Sequence, residues 1–120
     1  MELLKLDERL EEFVWQDVTF YFRTTVSSGD KFNLDTAGSL TEEGKVSFKP
    51  MEFYRACIRI FVTGWKGVTE KGKEVPYSFD TFSSRFPADP AGEDLFIKLG
   101  LFIAQKNMII PKEEKALKNE

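Results

Sequence analysis

The sequence predicts an α+β fold: an N-terminal β-hairpin or small antiparallel sheet packed against about three helices. Three observations predict it. Residues 13–26, FVWQDVTFYFRTTV, concentrate aromatic and β-branched side chains with a period of two. Residues 50–63 carry apolar side chains at the helical interval, and two further helical patterns, separated by prolines, follow Ser78. The 120 residues fit one domain, long enough for a sizeable core without metal or disulfide. With 42% apolar and 31% charged residues the composition is that of a globular chain. The expected organisation is an N-terminal arm or short helix over 1–12, a single α+β domain over 13–107, and a charged tail over 108–120.

Residues 1–12 place Leu3, Leu6 and Leu10 on one side of a helix, but the segment is short and charged, so it reads as a docking arm or a frayed end. In the strand that follows, Val18, Phe20 and Phe22 alternate with Thr19, Tyr21 and Arg23, putting the first three inward and the others outward. Ser27 to Asp30, SSGD, reads as a turn, and residues 31–35 as a returning strand with Phe32 and Leu34 inward. Residues 36–49 are polar and read as a loop with a short strand at 46–48.

Pro50 suits the first position of a helix, where its missing N–H costs nothing. Phe53, Cys57, Ile60 and Phe61 form its apolar stripe, with Tyr54, Ile58 and Trp65 beside it, and Arg55 and Arg59 share a solvent side. Gly64 fits the left-handed residue closing such a helix, with Trp65 folded back over the last turn. Residues 68–75 read as two short extended pieces around Lys71-Gly72, and Pro76 excludes a central strand there. Ser78 is the expected N-cap of a short helix carrying Phe79, Phe82 and Phe86 and ended by Pro87. Asp89 and Pro90 read as cap and first residue of the last helix, with Glu93 and Asp94 in its first turn. Its apolar face is Leu95, Leu99, Phe102 and Ile103, flanked by Phe96, and Asn107 stops it.

The chemistry is mostly one of absences. The chain has no His, which removes the commonest general base and the commonest metal ligand. It has no Cys cluster and no phosphate-binding glycine loop. Residues 30–35 resemble part of a calcium loop but place Asp35 where the turn needs Gly. The adjacent carboxylates Glu42-Glu43 and Glu113-Glu114 read as solvated surface. No catalytic, cofactor-binding or metal-binding residue is therefore nominated, no cofactor is expected, and the chain does not read as an enzyme. The net charge of −3 is interspersed, without the basic stripe a nucleic acid requires, and no apolar run reaches membrane length. Asp7, Glu8, Glu11 and Glu12 interrupt any N-terminal signal, and the lone Cys57 reads as a buried thiol, which suits a reducing cytoplasm. Lys66, Lys71 and Lys73, interleaved with Glu70 and Glu74, read as a mixed-charge loop or as a contact surface for an acidic partner. Trp65 and Trp15 are each open to two roles, core lid or interface anchor.

At GWKGVTEKGKEVPYS the sequence resembles a recurring motif of small tailed-phage and prophage proteins of the tail assembly chaperone family. The matching residues are Gly64, Trp65, Gly67, Val68, Gly72, Val75, Pro76, Tyr77 and Ser78. The order of elements around the motif is also similar, whereas the Lys-rich turn and the Phe-rich flanks depart from it. The resemblance implies a non-enzymatic protein of the host bacterial cytoplasm that binds the apolar tape-measure protein, or tail tube subunits, or itself as a homo-oligomer. The candidate contact residues are Trp65, Lys66, Phe79, Phe82, Phe86 and Phe96. Two alternatives stand beside it: a minor tail or connector subunit of the virion, for which residues 36–49 would form an ordering arm, and a small phage inhibitor of a host defence system.

Overall fold

In a computed structural model, which describes residues 1–5, 9–42, 45–89 and 91–109 (38–42 and 45–48 as backbone only), the aromatic run at the N-terminus turns back on itself. Gln16 takes a positive φ of 53° and with Asp17 closes a two-residue turn between β1 (Leu10–Trp15) and β2 (Val18–Arg23). The expected single strand over 13–26 is thus a hairpin, bent at the polar pair Gln16-Asp17. Strand β1 begins at Leu10, within the segment expected to be an arm.

The SSGD sequence is a helix start, not a turn between strands. Ser27 Oγ accepts the Asp30 N–H at 3.1 Å, and the Asp30 carboxylate accepts the Ser27 N–H at 3.0 Å. This reciprocal cap opens α1 (Ser28–Gly38). Two residues apart, Phe32 and Leu34 are roughly 200° apart around a helix, so they cannot both point inward. Leu34 is buried and Phe32 is 69% exposed. The expected loop over 36–49 holds the end of α1 and a hairpin, β3 (Ser39–Glu42) and β4 (Lys45–Phe48).

Helix α2 (Pro50–Phe61) buries Phe53, Ala56, Cys57, Ile58 and Phe61. It does not run to Gly64. Val62 is already extended (φ −70°, ψ 126°), and the β-branched pair Val62-Thr63 starts β5 (Val62–Lys66). Gly64 is a strand residue opposite Tyr21, and Trp65 pairs with Phe20 across the sheet instead of covering the helix end. The sheet is antiparallel, in the order β1-β2-β5. Beyond it, β6 (Thr69–Glu70) and β7 (Lys73–Glu74) pair around Lys71-Gly72, both with positive φ (52° and 78°).

Ser78 caps α3 (Phe79–Arg85), its Oγ accepting the Thr81 N–H at 3.0 Å. Helix α4 (Leu95–Lys106) starts later than its sequence suggests: Asp94, not Asp89, is the cap, accepting the Phe96 N–H at 2.8 Å. Asn107 ends it.

The inner face of the sheet, Val18, Phe20 and Phe22, lies on these helices. Phe13 and Phe22 meet Phe102 of α4 at ring distances of 5.2 and 5.7 Å, and Phe20 meets Phe82 of α3 at 5.3 Å. Helices α2 and α4 touch at Gly100, where a Cβ would stand 2.6 Å from Tyr54 Cβ and 2.9 Å from its Cα and carbonyl oxygen. Arg23, expected outward, is buried. It forms a two-bond pair with Asp30 (2.7 and 2.9 Å), donates to the Thr25 and Ile60 carbonyls, and lies 4.7 Å over the Phe61 ring. Burial raises the Asp30 pKa, but hydrogen bonds from Arg23 and Ser27 outweigh it and hold the carboxyl below its ordinary value.

Candidate functional site

The site grows from Phe20. Its cross-strand partner is Trp65, and the same face of the sheet carries Trp15 and Val18. The end of α3 brings Phe86 against all three aromatic rings: 5.3 Å from Trp15, 5.7 Å from Phe20 and 5.7 Å from Trp65. Both indoles are tied by their N–H groups. Trp65 Nε1 donates to the Val75 carbonyl at 2.7 Å, and Trp15 Nε1 donates to Asp89 at 3.2 Å. Each ring is therefore fixed at its polar end, and its apolar body is left to form a wall.

That wall belongs to a groove of about 490 Å³ between the β1–β2 turn, the β6–β7 hairpin and the end of α3. Trp15, Val18, Trp65, Val68, Val75 and Phe86 give it an apolar lining. The size is that of sites holding a bulky group. Gly67 makes the close approach of hairpin and turn feasible: its φ is +95°, and a Cβ there would meet the Asp17 carbonyl oxygen at 2.3 Å. Glu70 and Arg85, on opposite sides, form an ion pair of 2.8 Å at the rim, with both side chains about half exposed.

The loop after α3 is fastened by Asp89. Its carboxylate accepts the Ala91 N–H (2.9 Å), the Trp15 indole N–H and the Lys98 ammonium (3.2 Å). Led by the Ala91 bond, these outweigh desolvation and hold the Asp89 pKa below its ordinary value. Asp89 therefore anchors Trp15 and this loop; the end of its expected cap role is compensated by a structural one.

The expected contact residues divide between two places. Trp65 and Phe86 line the groove, and Lys66 is exposed between two of its lining residues. Phe79 and Phe96 are half-buried on the other side of α3, stacked under Arg55, whose guanidinium lies 5.7 and 4.9 Å from their ring centres. Phe82 joins the two places, 5.2 Å from Phe86 and 4.9 Å from Phe96, but it is only 2% exposed. It is an interior side chain that, with Phe86 and Phe96, lines a second cavity of about 430 Å³. Not selected from sequence were Val68, Val75 and Arg85, and Trp15 was left open between two roles. The signal for Trp15 was Gln16-Asp17 read as a hairpin turn, because that turn brings Trp15 alongside Phe86.

The polar residues of the groove lining are Gln16, Thr69, Glu70, Thr81 and Arg85. Cys57 lies in the core, where burial pushes its thiol up to about 12. Burial likewise pushes the Tyr77 hydroxyl up to about 12. Among the described residues, no three Cys, Asp or Glu side chains converge to hold a metal ion, and no helix is long and apolar enough to cross a membrane. No family model, curated protein or solved structure matches the chain.

Proposed function

We propose that this chain is a non-enzymatic assembly protein of a tailed phage or prophage, a tail assembly chaperone that holds the tape-measure or tail tube protein soluble in the host cytoplasm. One observation carries the reading: a groove of about 490 Å³ has an apolar lining that holds two anchored tryptophans. Such a surface binds apolar polypeptide without chemistry, and its polar rim keeps affinity modest enough for release. The motif by which the chain resembles the chaperones, residues 64–78, contributes Trp65, Gly67, Val68 and Val75 to this groove.

The test is co-expression with the tape-measure protein of the phage or prophage that encodes the chain. The expected result is co-purification of the two and a soluble tape measure, with the chain missing from purified virions. A tape measure that stays insoluble and uncaptured at both low and high salt overturns the proposal. Presence of the chain in virions at stoichiometric amounts points to a connector or minor tail subunit.

A further inference from the structure

Strand β1 is the outermost strand of the sheet, in the order β1-β2-β5. The Arg9 carbonyl accepts the Thr24 N–H at 3.0 Å, in register with the β1–β2 ladder. In an antiparallel strand the N–H and C=O of one residue point the same way, and that direction alternates along the chain. Glu11, Phe13 and Trp15 therefore bond to β2, while Leu10, Glu12 and Val14 turn their backbone groups away from it. Among the described residues, none of these three has a backbone bond on the open side. The other edge of the sheet is blunted: the β2–β5 register shifts between Tyr21 and Phe22, and the Val62 N–H goes to the Ile58 carbonyl of α2. Strand β1 has neither a register shift nor a proline nor a lysine to protect it.

The side chains of the same three residues lie on the face of the sheet away from the helices, since Val18, Phe20 and Phe22 pair with Trp15, Phe13 and Glu11. Leu10 and Val14 are 48% and 64% exposed. Glu12 stands between them, exposed and, among the described residues, without an ion-pair partner. Of the cations on this face, Arg23 is held by Asp30, and Lys66 stands on β5, across the width of β2. A second copy of the chain fits this edge badly. Antiparallel self-pairing through all three outward residues sets Leu10 against Val14 but Glu12 against its own equivalent, and like charges directly opposite are destabilising.

We infer that β1 accepts an extended segment of another protein as a fourth strand of the sheet, and that this segment carries Lys or Arg opposite Glu12 with an apolar residue two positions to either side. Backbone bonds to Leu10, Glu12 and Val14 attach it, the Leu10 and Val14 side chains supply apolar contact, and Glu12 selects the register and the partner. None of the three lines the groove, so the edge works whether or not the groove holds a tail protein.

The experiment uses the isotope-labelled full chain and two probes, acetyl-Thr-Val-Thr-Lys-Thr-Val-Thr-amide and the same peptide with Glu in place of Lys. Amide exchange followed by NMR reads the edge residue by residue. The Lys peptide is expected to slow exchange saturably at the Leu10, Glu12 and Val14 amides. It should bind about fivefold more tightly than the Glu peptide, a gap that closes as salt rises from about 0.05 M to about 0.5 M. Glu12→Lys should reverse the preference. Glu12→Pro removes an outward N–H and should abolish binding with little change in thermal midpoint, whereas Glu11→Pro removes a bond to β2 and should lower the midpoint. Equal binding of the two peptides, no binding of either, or binding that leaves the three amides unprotected overturns the inference. So does a Glu12→Pro chain as destabilised as Glu11→Pro, which would place the Glu12 N–H in the ladder. Protection of the same amides without peptide, rising with protein concentration alongside a dimer mass in sedimentation, would make the occupant a second copy and overturn the choice of partner.

Discussion

Replacing Gly100 by alanine tests the helix pair on which the sheet and the groove rest. On an exposed helix face this change would stabilise the fold by about 1 kcal/mol, because alanine is the better helix former. Here the new methyl would stand 2.6 Å from Tyr54 Cβ and 2.9 Å from Tyr54 Cα and carbonyl oxygen. None of these atoms is the end of a flexible side chain, so relief requires α2 and α4 to part. Forced overpacking of this kind costs about 3 kcal/mol at the upper end of its usual range. The propensity gain offsets about a third of that, leaving a net loss of about 2 kcal/mol, or roughly 10 °C in Tm for a chain this size. Urea unfolding followed by tryptophan fluorescence, with circular dichroism as a second probe, measures it. Gly64→Ala is the matched control. Gly64 has no positive φ and open space where the methyl would go, so that variant should be neutral or more stable by about 0.5 kcal/mol. A Gly100→Ala protein as stable as the parent would refute the claim that the two backbones meet at this point.

Other substitutions probe the polar interior and the core thiol. Arg23→Met leaves the buried Asp30 carboxylate without its partner and should cost about 3–5 kcal/mol, read from the urea midpoint. Because the Asp30 pKa is depressed in the fold, its contribution is fully present above the unfolded value of about 4 and is lost as pH falls through the lower folded value. Asp30→Asn should therefore flatten the stability–pH curve below about pH 4, and an unaltered acid limb would contradict the assignment. Cys57 should resist a thiol-specific disulfide reagent in the native protein at pH 8 and react in full once urea unfolds it; fast native labelling would place it at the surface.

The elements whose signals are local were legible in the sequence. Pro50 and Ser78 mark helix starts because each satisfies the terminus with its own chemistry, and the Lys71-Gly72 turn follows from a glycine that accepts positive φ. The alternation of Val18, Phe20 and Phe22 holds because a half-buried strand has one period. What was not legible depends on partners distant in sequence. Arg23 looks outward on its strand's period and is drawn inside by Asp30, which is itself placed by its cap with Ser27. Gly64 has the residue type of a helix stop, yet the chain passes into β5 without a left-handed residue because β2 offers an open edge to pair with. For the groove, Trp65 and Phe86 were readable as exposed-aromatic candidates, whereas Trp15 and Arg85 join them only through the Gln16-Asp17 turn and the Glu70 pair.

The stretch from Gly64 to Ser78 has a structural reason at nearly every position of its motif. Trp65 donates to the Val75 carbonyl, and Val75 N–H donates to the Val68 carbonyl at 2.9 Å, so both ends of the segment are tied by bonds inside it. Gly67 and Gly72 hold positive φ, Tyr77 packs edge-on to Trp65 at 5.1 Å, and Ser78 caps the next helix. The segment is not independent of the rest of the chain: Gly64 and Trp65 pair with β2, and Gly67 lies against the Asp17 carbonyl. Lys66, Lys71 and Lys73 are different: they are exposed, and none makes the bonds that hold the unit together. The motif therefore accounts for one wall of the groove, Trp65, Gly67, Val68 and Val75, while the exposed lysines lie outside its lining.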